Sequence, residues 1–191
     1  MKIIGLNKRF NDNLLFDNFS CEIADSKINY LLGASGSGKT TLLRIISGLD
    51  RDFLGSIEPT QNKISYVFQE PRLLPSLSAL ENVKIVRENS EKLSIELLSL
   101  LELKDALNKK PDELSGGMKM RVNLARALNY DADLYLMDEP FSALDEETKD
   151  RILPKVFEIL KDKTIVIVSH NIEEANKYAE NIINISSPLT N

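Results

Sequence analysis

The period at which hydrophobic positions recur changes several times along the chain, and each change marks an element. Lys2 to Leu6 is short and apolar, and Phe19, Cys21 and Ile23 alternate with Ser20, Glu22 and Ala24, which predicts an antiparallel sheet at the start of the chain. Tyr30-Leu31-Leu32 predicts a short buried strand, and Leu42, Leu43, Ile46 and Leu49 fall on one face of a helix over 41–49. A strand over 63–68 follows. Beyond it Pro71, Pro75 and the spacing of Leu93, Leu97, Leu100 and Leu101 predict a mostly helical stretch, about 70–125, inserted into the α/β pattern. The alternation then resumes with helix 119–128, strand 134–137, helix 148–160, strand 165–168 and a strand-like 181–185. Apolar strands separated by helices are buried on both faces, so a mostly parallel core sheet is expected. Residues 1–191 read as a single α/β domain with an N-terminal antiparallel β subdomain and an inserted helical subdomain.

Composition changes this picture little. The chain has 191 residues, 42% of them hydrophobic, which suits one well-packed domain. Net charge is −5, with 24 basic and 29 acidic residues dispersed along the sequence, so there is no basic stripe for nucleic acid, and none is expected as a partner. The single cysteine, Cys21, forms no internal disulfide, and Met1 leads into a strand pattern rather than a secretory signal. No apolar run approaches the ~20 residues of a membrane helix. A cytoplasmic protein is expected, attached to a membrane only through a partner.

The turn after the Tyr30-Leu31-Leu32 strand carries chemistry. Gly33-Ala34-Ser35-Gly36-Ser37-Gly38-Lys39-Thr40 fits the pattern G-x-x-x-x-G-K-[ST] and sits between a buried strand and a helix start, which weighs against an ordinary glycine-rich connection. Glycines let the backbone wrap closely with its N–H groups pointing inward, and the helix N-terminus adds positive potential. Lys39 can reach the β- and γ-phosphates, and the Thr40 hydroxyl can ligate Mg²⁺. Gly33, Ser35, Gly36, Ser37, Gly38, Lys39, Thr40 and Thr41 are the candidate nucleotide-binding residues, and a P-loop NTPase fold is expected. Leu134 to Glu139 is a buried strand ending in two acids, which is costly without an occupant. With a phosphate loop upstream, Asp138 is placed to hold the Mg²⁺ of a triphosphate, and Glu139 to act as general base on the attacking water.

Three further segments carry a resemblance. Leu114-Ser115-Gly116-Gly117-Met118, with Arg121 to Leu128 after it, and Asp138 to Asp145 look like the signature and D-loop of the ABC ATPases, and the likeness extends over nearly the whole chain. Gln69 resembles that family's Q-loop glutamine, His170 its switch histidine, and Phe10 stands where the family places the aromatic that stacks on adenine. Taken alone, a single histidine at a strand end is more often a surface or capping residue, and an aromatic near a β turn is as often core. Ser115 can cap the helix that starts after Gly117, and the two glycines expose N–H groups as a second anion site. The resemblance implies that Ser115, Gly116 and Gly117 of one subunit complete the γ-phosphate pocket of another across a head-to-tail, ATP-sandwiched homodimer. It also implies that Lys39, Gln69, Glu139 and His170 act in catalysis, that Thr40, Gln69 and Asp138 surround Mg²⁺, and that Asp145 lies at the dimer interface.

An integral membrane permease, on which this chain would sit as a peripheral subunit at the inner face of the cell membrane, and an extracytoplasmic solute-binding protein are the further partners so implied. Met118 replaces the glutamine that many family members carry, which leaves the backbone donors in place. Met118 and Phe68 to Pro75 resemble the importer branch for nitrate, sulfonate and taurine, so import of a small solute is expected, with an exporter ATPase or a soluble, non-transport ATPase as alternatives. The short chain end after 181–185 predicts no C-terminal regulatory domain. A GTPase is disfavoured because the Asn-Lys pairs at Asn7, Asn62, Asn108 and Asn176 are followed by Phe10, Ser65, Pro111 and Ala179, not by aspartate. A small-molecule kinase has no use for Leu114 to Gly117 or for a water-activating carboxylate.

Overall fold

A computed structural model of the chain describes residues 1–11, 13–58 and 63–186. They divide into two compact units, one of Met1–Ile64, Asp133–Glu139 and Asp162–Asn191, the other of Ser65–Ala132 and Pro140–Lys161.

The first unit opens with an antiparallel sheet in the order β2-β1-β4, formed by β1 (Lys2–Phe10), β2 (Asn13–Glu22) and β4 (Leu54–Glu58). Register shifts around Gly5 break the simple alternation of β1, so that Ile3 and Leu6 are both buried while Ile4 is exposed. The third strand, β4, follows the helix of the phosphate loop; its Leu-Gly-Ser-Ile-Glu sequence is too short and too polar to signal a strand by itself. The second sheet of this unit contains β3 (Ile28–Leu32), β6 (Leu134–Asp138), β7 (Thr164–Val168) and β8 (Asn181–Asn184), in the order β6-β7-β3-β8, and β5 (Ile64–Val67) begins in this unit and runs into the second. The pairs β6–β7, β7–β3 and β3–β8 are parallel. Every residue of β6 and β7 is buried, as continuous apolar strands in a parallel sheet require. Helix α1 (Lys39–Ile46) buries Leu42, Leu43, Ile45 and Ile46, and a short helix α6 (Ile172–Tyr178), without a clear apolar stripe in its sequence, starts at the cap Asn171.

The second unit holds α2 (Ala79–Lys84), α3 (Glu91–Leu100), α4 (Gly116–Asn129) and α5 (Glu146–Ile159), with two single 3₁₀ turns between α3 and α4. Ser78 and Glu81 form a capping box at the start of α2. The apolar face of α3 differs from the predicted one: Ser94, Leu97, Leu98 and Leu101 are buried, whereas Leu93 and Leu100 are only half-buried. A serine is tolerated there because its Oγ donates to Ser90 O at 2.7 Å. Asn129, 0% exposed, donates from Nδ2 to Val83 O (2.8 Å), Ser90 Oγ (3.0 Å) and Ser94 Oγ (3.3 Å), tying the end of α4 to α2 and α3. Among the described residues no helix is long and apolar enough to cross a membrane.

Candidate functional site

In the first unit the phosphate loop runs from β3 into α1. Gly33 has no room for a side chain: an added Cβ would lie 2.7 Å from Ser37 Oγ and would also strike the Ile185 carbonyl. Gly38, at φ +101°, is the residue before α1, and a Cβ there would lie 2.7 Å from Phe16. The loop is therefore fixed by its packing as well as by backbone conformation. Ser35 and Gly36 form the exposed turn, and Ser37 Oγ is buried without a hydrogen-bond partner, an unspent donor inside the loop. Lys39 Nζ donates to the carbonyls of Gly33 (2.7 Å) and Ala34 (2.8 Å), so its charge rests over the loop. Thr41, next in α1, is half-buried.

The end of β6 brings carboxylates to this loop. Asp138 is 3% exposed. Burial raises its carboxyl above the usual carboxylate range, opposed by a hydrogen bond from Thr40, reinforced by the charge of Glu139 and opposed again by Lys39. Thr40 and Asp138 thus share one position, where a hard cation would relieve the buried charge. Among the described residues no group of three or more His, Cys, Asp or Glu side chains could hold a metal unaided. The two oxygen donors suit an ion that takes further ligands from a bound triphosphate.

Glu139 follows in the left-handed region at φ +52°, an uncommon conformation for a non-glycine residue, and its N–H donates to Val168 O at 3.0 Å. Its side chain meets His170, whose Nδ1 lies 2.9 Å from Oε1 and 3.0 Å from Oε2. Glu139 is 14% exposed and His170 76% exposed in their side chains, so one partner is shielded while the other faces open space. Phe10, at the end of β1, is 50% exposed, with Lys8 Nζ 4.9 Å from its ring centroid. Lys8 itself is buried and paired with Asp50 Oδ1 at 2.9 Å.

The remaining predicted residues belong to the second unit. Gln69 is exposed in the bend after β5. The preceding Phe68 stacks on Tyr66 at 4.2 Å between centroids, and Arg72 lies 4.2 Å over its ring. Ser115 caps α4, its Oγ accepting from Met118 N at 3.3 Å. The helix begins at Gly116 rather than after Gly117, so both glycines lie in the first turn, where backbone N–H groups have no intrahelical acceptor. A Cβ on Gly117 would lie 3.3 Å from Ala143 O, which brings the Asp145 loop against this turn. Asp145 caps α5, accepting from Thr148 N (2.9 Å) and Thr148 Oγ1 (2.8 Å).

Two supporting residues escaped the sequence patterns. Asn123, 1% exposed on α4, donates to Phe68 O at 3.2 Å and so anchors the segment leading to Gln69. Thr148 holds the Asp145 carboxylate. A polar residue on the apolar face of α4 was the one available signal for Asn123.

Known proteins resemble this chain in sequence and fold. The family model described as ABC transporter matches residues 16–142. The aliphatic sulfonates import ATP-binding protein SsuB 2 of Pseudomonas syringae pv. tomato is 35% identical over 184 residues, which cover 94% of this chain and 79% of that protein. A solved dimeric structure of a bacterial ABC transporter cassette superposes with a TM-score of 0.85 at 31% identity, covering 97% of this chain and 94% of the other. The dimeric post-hydrolysis state of the same cassette, bound to ADP and Pi, gives 0.82 at 29% identity, covering 97% and 95%.

Proposed function

The chain belongs to the ABC transporter family of ATP-binding proteins and is an ATP hydrolase, and from that premise we propose that it energises an importer of a small solute as a cytoplasmic subunit docked on a membrane permease. The observation that carries the hydrolytic part is the Glu139–His170 pair, built beside Asp138, Thr40 and Lys39. Phosphates of ATP lie in the cradle of Gly33, Ser35, Gly36, Ser37 and Gly38, with Lys39 on the β- and γ-oxygens and Thr41 continuing the helix start. Thr40 and Asp138 would hold Mg²⁺, which when bound would neutralise charge on the transferred phosphoryl group. Glu139 accepts a proton from the attacking water, and His170 keeps that carboxylate oriented and faces the γ-phosphate. Phe10 stacks on the adenine with Lys8 against its ring.

Ser115, Gly116 and Gly117 present the N-terminus of α4, an anion site of the same kind as the phosphate loop. In a head-to-tail homodimer each subunit offers this turn to the ATP on its partner, and Asp145 lies at the interface. The dimeric state of the related cassette supports this. ATP then acts as a clamp: binding closes the dimer and drives the permease, and hydrolysis reopens it. Import is supported by Met118, by Phe68 to Pro75 and by the import role of the sulfonate relative. An extracytoplasmic solute-binding protein completes the assembly.

The hydrolytic assignment is tested with Glu139→Gln, which should bind ATP and accumulate as an ATP-bound dimer on gel filtration; a monomer with continuing hydrolysis overturns it. The transport assignment is tested by co-purifying the chain with its permease from membranes and measuring ATP-driven solute flux in vesicles. Outward flux establishes the exporter alternative, and absence of any membrane partner establishes a soluble role.

A further inference from the structure

We propose that Tyr30 and Glu174 are positioning residues that set His170 against Glu139, an inference that rests on the hydrolytic role just assigned to that pair. Tyr30 is 0% exposed on β3, just upstream of the phosphate loop, and Glu174 is 6% exposed on α6. The Tyr30 hydroxyl donates to Glu174 Oε1 at 3.2 Å. Burying a phenol beside a carboxylate is a poor way to gain stability, since apolar side chains of similar volume do so without desolvating a charge. It is a good way to fix geometry, because a buried hydrogen bond has few alternative arrangements. Burial and the neighbouring Glu174 push the Tyr30 phenol far above its ordinary range, so the hydroxyl stays a donor.

What this bond fixes is the segment that carries His170. Asn171 caps α6, and its Oδ1 accepts from Glu174 N at 2.9 Å, so Glu174 is tied through its backbone to the switch segment and through its side chain to β3. On the other side of His170, Ser169 N donates to Leu31 O at 3.5 Å, and Ser169 Oγ accepts from Asn171 N at 3.1 Å. The residues flanking His170 are therefore referred to two adjacent residues of one strand, Tyr30 and Leu31. The imidazole is 76% exposed, so packing around the ring does not orient it. Its direction towards Glu139 is inherited from its backbone, and the Tyr30–Glu174 bond holds the helix end of that backbone.

His170 is the chain's only histidine, so the side-chain nitrogen spectrum of the isotopically labelled full chain contains a single imidazole. Tyr30→Phe keeps the ring and removes the hydroxyl. It should leave ATP affinity within about twofold while lowering kcat about tenfold, because misplacing a catalytic group costs rate rather than binding. Its imidazole shifts should move towards those of freely averaging tautomers. Glu174→Ala should match it, whereas Glu174→Gln, which keeps an acceptor for the hydroxyl, should retain most of kcat. In a His170→Ala background, Tyr30→Phe should cost nothing further. An unchanged kcat and imidazole spectrum in Tyr30→Phe overturns the proposal, as does an equal loss of kcat with and without His170, or a matching loss of ATP affinity. If His170→Ala itself keeps wild-type kcat, the hydrolytic role falls along with this proposal. A slow His170→Ala beside a wild-type Tyr30→Phe removes this proposal alone.

Discussion

Single residues of the site divide by what makes them identifiable. Lys39 and Thr40 stand at fixed places in a local pattern, whereas Gly33 owes its lack of space partly to Ile185, remote in sequence, and the Ser37 hydroxyl is buried without a partner. Gly33→Ala forces a Cβ into contact with Ser37 Oγ and the Ile185 carbonyl and should lower stability by ~1–3 kcal/mol, the usual cost of overpacking, in a urea titration, together with loss of nucleotide binding. Lys39→Ala leaves the loop backbone intact but removes the cation over it, so ATP affinity measured by calorimetry should fall by at least about tenfold; unchanged affinity would remove the phosphate-loop assignment. Asp145 gives a pH signature. Hydrogen bonds from Thr148 hold its carboxyl below the ordinary value of 3.8, so its folded pKa lies below its unfolded one. Its contribution is then present above 3.8 and lost as pH falls through the lowered value. The Tm advantage of the wild type over Asp145→Ala should hold from neutral pH down to about 3.8 and shrink as pH falls further.

Elements came through unevenly. Helices α4 and α5 and strands β6 and β7 were legible because their apolar periodicity is long or continuous. β4 and α6 were not, since a short segment with one or two apolar residues forms only where a neighbouring element accepts it. The face of α3 was misplaced because leucine count outweighed the hydrogen bonding that lets Ser90, Ser94 and Asn129 occupy the interior. Asn129→Ala removes the hydrogen bonds to Val83 O, Ser90 Oγ and Ser94 Oγ at once and should cost ~2–4 kcal/mol in denaturant unfolding. Pro154 has the opposite sign. It lies inside α5 at an exposed position, and proline in a helix interior is disfavoured by up to ~3 kcal/mol relative to alanine, so Pro154→Ala should raise Tm provided α5 straightens without disturbing its buried face.

For the whole molecule, ligand linkage offers a direct measure of the site. MgATP at about a hundred times its Kd should stabilise the wild type by ~2.7 kcal/mol, seen as a raised Tm that both EDTA and Lys39→Ala diminish. The sequence by itself determined the phosphate loop, the acidic strand end, the signature turn and the α/β class. Each of these is written in contiguous residues whose chemistry is local: a cap, a glycine turn, an apolar run. Only the tertiary structure decided that Glu139 and His170, 31 residues apart, share one hydrogen bond, that Thr40 meets Asp138, and that Tyr30 reaches Glu174. These contacts depend on the order β6-β7-β3 within the sheet, which sets strand ends side by side that are distant in the chain. Apolar period records which face of a strand is buried, but not which strand lies next to it, and the site is assembled from those neighbours.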